Sequence, residues 1–221
     1  MPARLSPGDT IGIAAPASAF DTKHFYQGIN LLESMGFHTY IPDGLFKKKG
    51  YLAGSDIHRA NILNQLFADR EVKAIICARG GFGSIRILSL LDFDIIQRNP
   101  KIFIGFSDIS AILSALSLKC GLSVFHGPVL TTLGDADWKT KDSFFSVLSS
   151  DSNFEIKLKR GVTIKSGTAS GPVTGGNLST LCHLLGTPFQ PEFTACILFL
   201  EDSREPSYKI DRMLTQMKLA G

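Results

Sequence analysis

Residues 72 to 78 read VKAIICA, and the last five of these carry nothing polar. An unbroken β-branched run of this length predicts a strand of a parallel sheet covered on both faces, because one wet face would leave polar residues at every second position. The flanking sequence repeats the strand–helix alternation such a sheet needs. DTIGIAAP is a short apolar strand ending at Pro16, and Thr22 to Met35 carries Phe25, Ile29 and Leu32 at helical spacing before Gly36 stops it. FHTYIP is a second strand, and Asp56 stands where it can cap a helix holding Ile57, Ala60, Leu63, Leu66 and Phe67. A glycine loop, a helix from about Ser84, the strand KIFIGF, a helix with Ile109, Ile112, Leu113 and Leu116 on one face, and the strand LSVFHGP complete the series. Repeated βα units predict an α/β fold: an open, mostly parallel sheet flanked by helices.

The pattern changes near residue 150. FEIKLKRGVTIKSGTASGPVTGG alternates apolar and polar residues between glycine turns, which predicts antiparallel or mixed strands. The polar stretch SSDSN, residues 149 to 153, therefore marks a boundary between an α/β domain (1–150) and a smaller, β-rich second domain (154–221). The latter offers a helix at 177–186, the strand ACILFLED and a last helix containing Ile210, Met213, Leu214 and Met217. At 221 residues, 44% hydrophobic and 19% charged, the chain has enough apolar surface for a sizeable core. A net charge of +3 is too small to point to nucleic acid, and Lys47-Lys48-Lys49 beside Gly50 reads as a solvated loop. The longest apolar run, six residues from Ala195 to Leu200, is far short of the roughly 20 that cross a bilayer. Pro and Gly interrupt the amino-terminal segment where a leader peptide would be apolar, and the scattered Cys77, Cys120, Cys182 and Cys196 read as reduced thiols of a cytosolic protein rather than metal ligands.

Ser107 stands between a strand and a helix, where serine either caps the helix or sits exposed in a tight turn as a nucleophile. Gly105 supplies the glycine two before it, but Ile109 replaces the one two after, so the elbow pattern is half met. The loop ARGGFGS (78–84) also follows a strand, and its glycines let backbone amides approach a ligand. It does not bind a dinucleotide by the usual fingerprint, because position 86 is arginine; GPVTGGNL fails the P-loop pattern, with Asn177 and Leu178 after its last glycine. Glu201 ends the strand ACILFLED, either solvated or placed to orient an imidazole. Of the five histidines, only His126, at the end of LSVFHGP, is positioned by the sheet near Ser107; a packing role is its plainer reading.

The order and wording of these segments are more telling than any one of them. GDTIGIAAPAS, YLAGSDIHRANILNQLFAD, VKAIICARGGFGS, IFIGFSDISAIL, FHGPV, GPVTGGNLSTLCHLLGTPF and LFLEDSREPSYKIDRMLTQMKLAG together resemble the LD-carboxypeptidases, the serine peptidases that include muramoyltetrapeptide carboxypeptidases and microcin self-immunity peptidases. The resemblance implies a Ser-Glu-His triad in a groove between an α/β domain and a β-rich domain. Ser107 matches the nucleophile, the amides of Gly81 and Asp108 the oxyanion hole, and Glu201 the triad acid, with Glu205 as a second choice. Arg79, Gly80, Phe82 and Asn177 are the expected substrate contacts, and the implied substrate is a muropeptide that loses a C-terminal D-residue. The resemblance implies no cofactor or metal, no nucleic acid or membrane partner, a cytoplasmic setting and a homodimer. The family's triad histidine follows the glutamate, whereas no histidine follows His183 here. That departure predicts a fragment or a naturally short chain lacking the C-terminal part, and keeps open a self-immunity peptidase or a muropeptide binder without turnover.

Overall fold

The computed structural model describes residues 2–150, 154–156 and 161–221. Its main sheet holds β1 (Thr10–Ala14), β2 (His38–Tyr40), β3 (Val72–Cys77), β4 (Ile102–Gly105) and β5 (Phe125–His126) in the order 2-1-3-4-5. Every neighbouring pair is parallel, as the unbroken apolar runs predict. The connections carry α1 (Thr22–Ser34), α2 (Asp56–Ala68), a 3₁₀ turn (Ile85–Leu90), α3 (Phe93–Arg98) and α4 (Ser110–Cys120). After β5 come α5 (Leu130–Leu133) and α6 (Trp138–Ser149). A second, two-stranded sheet pairs β6 (Val173–Asn177) with β7 (Ile197–Glu201), with α7 (Leu178–Cys182) between them and α8 (Ser207–Leu219) after. The strand order switches direction between β1 and β3, and open α/β sheets bind ligands beyond the carboxyl ends of their strands at such a point.

Two apolar layers cover the sheet. On one face Leu63, Leu66 and Phe67 of α2 pack with Ile75, Phe103, Ile112 and Leu116; on the other, Phe25 and Leu32 of α1 meet Ile13, Ile76 and Ile104. Each fully buried side chain of this size contributes about 1.5–3 kcal/mol. Leu181 and Leu184 join the first of these layers, so the second sheet is seated on α4 through its own helix.

Several local expectations change. The cap of α2 is Ser55, whose hydroxyl accepts from the His58 amide; Asp56 is instead the first helical residue, free to pair with arginines. The segment after Ser84 forms 3₁₀ rather than α structure, and the helix expected at 177–186 is the shorter α7. The β6–β7 pair is parallel because a helix joins its strands, where alternation alone suggested antiparallel or mixed pairing. Residues 161–172 form no strand, and the expected boundary at 149–153 falls largely on residues outside those described. All four cysteines are free; burial pushes the Cys77 thiol well above its ordinary value, so it has no tendency to become a nucleophile.

Candidate active site

Ser107 does not cap a helix. Neither helical segment that follows it has a side-chain cap, and the serine itself adopts φ of 62° at the head of a 3₁₀ turn, Ser107–Ile109. A non-glycine residue in this region costs on the order of 1–3 kcal/mol, so its neighbours must hold it there. The turn is tight: a Cβ on Gly105 would lie 2.6 Å from Ile109 Cγ2. The buried Asp108 fastens it, its carboxylate accepting from the Ser84 amide at 2.8 Å while the Ser84 hydroxyl donates to the Asp108 carbonyl.

The glycine loop lies against this turn. A Cβ on Gly80 would stand 3.2 Å from Ser107 Cβ and 3.5 Å from its Oγ. Gly81 has φ of 102°, and a Cβ there would meet Ser18 Oγ at 2.4 Å, so the backbone next to Ser107 accepts no side chain. Ser18 accepts a hydrogen bond from the Phe82 amide at 3.1 Å. Beneath the loop, Arg59 of α2 is only 1% exposed; its Nη1 donates to the Gly83 carbonyl at 2.9 Å and to the Pro16 carbonyl. Asp56 neutralises it at 2.5 Å and also holds Arg86 at 2.7 Å. Burial lowers the Arg59 pKa, with Asp56 acting against it, while Asp56 is held below the usual carboxylate range by hydrogen bonding to Arg86. The loops after β1 and β3 are thus tied by one buried guanidinium. Arg59 carries a signal legible in the sequence, since it shares the 59, 63, 66 stripe of α2 with Leu63 and Leu66.

Two strand pairs bring Glu201 and His126 together. Gly105 registers with His126 across β4 and β5, while Asn177 registers with Glu201 across β6 and β7. His126 Nε2 lies 3.7 Å from Glu201 Oε1, an oxygen that is buried without a hydrogen bond. The imidazole meets Phe106 and Phe199 edge-on, at centroid distances of 6.3 and 5.4 Å. Burial lowers its pKa, and the Glu201 carboxylate partly offsets that. Glu205 instead pairs with Lys209 at 3.2 Å, which favours Glu201 of the two carboxylates.

The expected substrate contacts divide. Phe82 is 49% exposed beside Tyr51, and Arg79 donates to the Ala19 carbonyl at 3.0 Å while lining a hollow with Asp21, His24, Thr131, Thr132 and Asp135. Asn177 already caps α7, its side-chain oxygen accepting from the Thr180 amide and hydroxyl at 3.1 and 2.8 Å. Its own amide donates to Ser110, which ties β6 to the start of α4. Among the described residues no three His, Cys, Asp or Glu side chains are grouped to hold a metal ion. The residues present are a hydroxyl on strained backbone, a glycine loop against it, and a carboxylate–imidazole pair whose histidine registers two residues before the serine, groups that acyl transfer uses.

Comparison with known proteins bears on the same segments. The LD-carboxypeptidase N-terminal domain profile matches residues 11–127, and the LD-carboxypeptidase C-terminal domain profile matches residues 170–221. The probable murein peptide carboxypeptidase of Bacillus subtilis is 41% identical over 224 residues, spanning 100% of this chain and 70% of its own. The microcin C7 self-immunity protein MccF of Escherichia coli is 32% identical over 253 residues, 99% of this chain and 74% of its own. The crystal structure of muramoyltetrapeptide carboxypeptidase from Oxalobacter formigenes superposes with a TM-score of 0.86 at 31% identity, over 96% of this chain and 72% of that one.

Proposed function

The chain belongs to the LD-carboxypeptidase family, and from that premise we propose that it is a serine peptidase cleaving the amide between an L-centre and a C-terminal D-residue, releasing D-alanine from murein tetrapeptide. The observation that carries the reading is Ser107 at φ of 62° beyond β4, with the glycine-loop backbone against its hydroxyl. Ser107 Oγ attacks the scissile carbonyl, and the amides of Gly81 and Asp108 hold the oxyanion as it forms. An imidazole takes the Ser107 proton and returns it to the departing amine of the D-residue; water, activated by the same base, then hydrolyses the acyl-enzyme. Glu201 orients that imidazole. The family order puts this histidine after the glutamate in sequence, and His126, paired with Glu201 at 3.7 Å, is the alternative among the described residues. Arg79, at the rim of the glycine loop, pairs with the substrate's terminal carboxylate, while Gly80 and Phe82 line its approach.

We read residues 1–150 as the domain carrying the nucleophile and 154–221 as the part carrying the acid, acting as a cytoplasmic homodimer in cell-wall recycling. The test is D-alanine release from L-Ala-γ-D-Glu-diaminopimelate-D-Ala by the chain and by Ser107→Ala. Release that survives the substitution refutes the assignment of Ser107. The match to MccF supports a second reading, self-immunity by cleavage of a peptide-nucleotide antibiotic. Preferential turnover of an aminoacyl-nucleotide conjugate over the tetrapeptide would establish it, and tight binding of the tetrapeptide without turnover would identify a binding protein.

A further inference from the structure

The amino ends of the main sheet carry a charge concentration unrelated to the site at their carboxyl ends. A hollow of about 440 Å³ opens where β1, β3 and β4 begin, lined by Arg4, Arg70, Lys73 and Lys101, with Asn99 and Asp9. Four cations from three separated segments thus face one lining carboxylate, in a chain whose whole net charge is only +3. Of the acidic groups nearby, Asp9 accepts from the Ser6 amide at 2.7 Å through one oxygen, and Asp69, whose carbonyl holds Lys101, accepts from the Glu71 amide at 2.9 Å.

Lys101 makes the hollow more than a run of surface charge. The residue is 5% exposed, and its Nζ donates to the Asp69 and Val72 carbonyls, each at 2.5 Å. An ammonium has three donors, so one remains for the hollow. Lys73 Nζ spends one donor on the Arg70 carbonyl at 2.7 Å and keeps two. The Arg70 guanidinium is exposed at the mouth, and Arg4, which has a partner of its own, completes the rim. Burial lowers the Lys101 pKa, Asp69 partly offsets this, and Lys73 adds to it, so these ammoniums repel one another. An anion between them would relieve both the repulsion and the desolvation.

We propose that this hollow is a binding site for a phosphoryl group, held by Arg70 in a bidentate fork and by the remaining donors of Lys73 and Lys101. The chemistry follows from the lining: two guanidinium and two ammonium groups share one hollow with a single carboxylate, which suits a compact, multiply charged oxyanion. The site is independent of turnover. Lys101 and Ser107 bracket β4, six residues apart, or roughly 20 Å along an extended chain, so a ligand here does not touch the nucleophile.

The test is isothermal titration of the full chain with inorganic pyrophosphate at constant ionic strength, using Arg70→Ser/Lys73→Ser, both exposed positions, and Ser107→Ala as the control. Saturable binding of one pyrophosphate per chain, weakened at least about tenfold in the double variant and unchanged in Ser107→Ala, is expected. A parallel flotation assay with phosphatidylglycerol against phosphatidylcholine vesicles separates the two sources of phosphoryl groups. Vesicle capture that the double variant loses assigns the site to a lipid headgroup, and pyrophosphate binding without capture assigns it to a soluble ligand. Absence of both, or binding that the double variant leaves intact, overturns the proposal. Because neither readout needs peptide hydrolysis, an inactive chain bears only on the peptidase reading.

Discussion

Replacing Arg59 by methionine tests whether a buried guanidinium holds the oxyanion loop in place. The substitution keeps the aliphatic stem and removes the charge, leaving the Pro16 carbonyl without this donor and the Gly83 carbonyl with the Arg86 amide alone, at 3.3 Å. Hydrogen bonds to charged groups contribute about 1.5–3 kcal/mol each, so losing the two carbonyl bonds costs about 3–5 kcal/mol. Arg59 is 1% exposed, so solvent screens its carbonyl bonds little, while Asp56, with a side chain 28% exposed, keeps Arg86 and adds little to the figure. For a chain above 200 residues, where each kcal/mol shifts Tm by roughly 2–4 °C, Tm should fall by about 10 °C. Hydrogen exchange should rise at residues 79–84 before it rises in β4, and Arg59→Lys should recover less than half of the loss, since one ammonium cannot span both carbonyls and Asp56. Thermal unfolding by circular dichroism with peptide-resolved exchange is the assay. A Tm change under about 2 °C, with unaltered exchange at 79–84, refutes the reasoning.

Ser107→Ala should abolish D-alanine release, by a factor on the order of 10⁴–10⁶ in single-turnover measurements, without lowering Tm. Ser107→Gly should raise stability by about 1 kcal/mol in denaturant titration, because glycine adopts φ of 62° freely. Gly81→Ala puts a Cβ 2.4 Å from Ser18 Oγ, so it should cost on the order of 10²-fold in kcat while secondary structure, read by circular dichroism, is retained. His126 should make the fold acid-sensitive. Its folded pKa lies below the ordinary 6.5, so the unfolded chain binds more protons in that range and stability falls as pH drops through it. Denaturant titrations from pH 7.5 to 5 should show that slope, and His126→Gln should flatten it.

The apolar run at 74–78 by itself determined a buried parallel strand, and the helical stripe of Phe25, Ile29 and Leu32 determined where α1 packs, because periodicity records which faces are dry. The family resemblance likewise rests on the order and wording of seven segments, with GFSD, RGGFG and FLED among them, and needs no geometry. Helix termini were less legible: Ser55 and Asp56 are both good caps, and only the two arginines converging on Asp56 settle which one serves. Parallel pairing of β6 and β7 was hidden for a similar reason, since alternation reports exposure and not strand direction. Ser107 shows the division most clearly. The same residue in the same sequence position fits a cap or a nucleophile, and its backbone dihedral, imposed by Gly80, Ile109 and the Asp108–Ser84 bonds, decides between them. Local sequence determines which conformations each segment finds inexpensive; the costly ones, such as a serine at positive φ or an arginine beneath a loop, exist only where distant residues offset their cost.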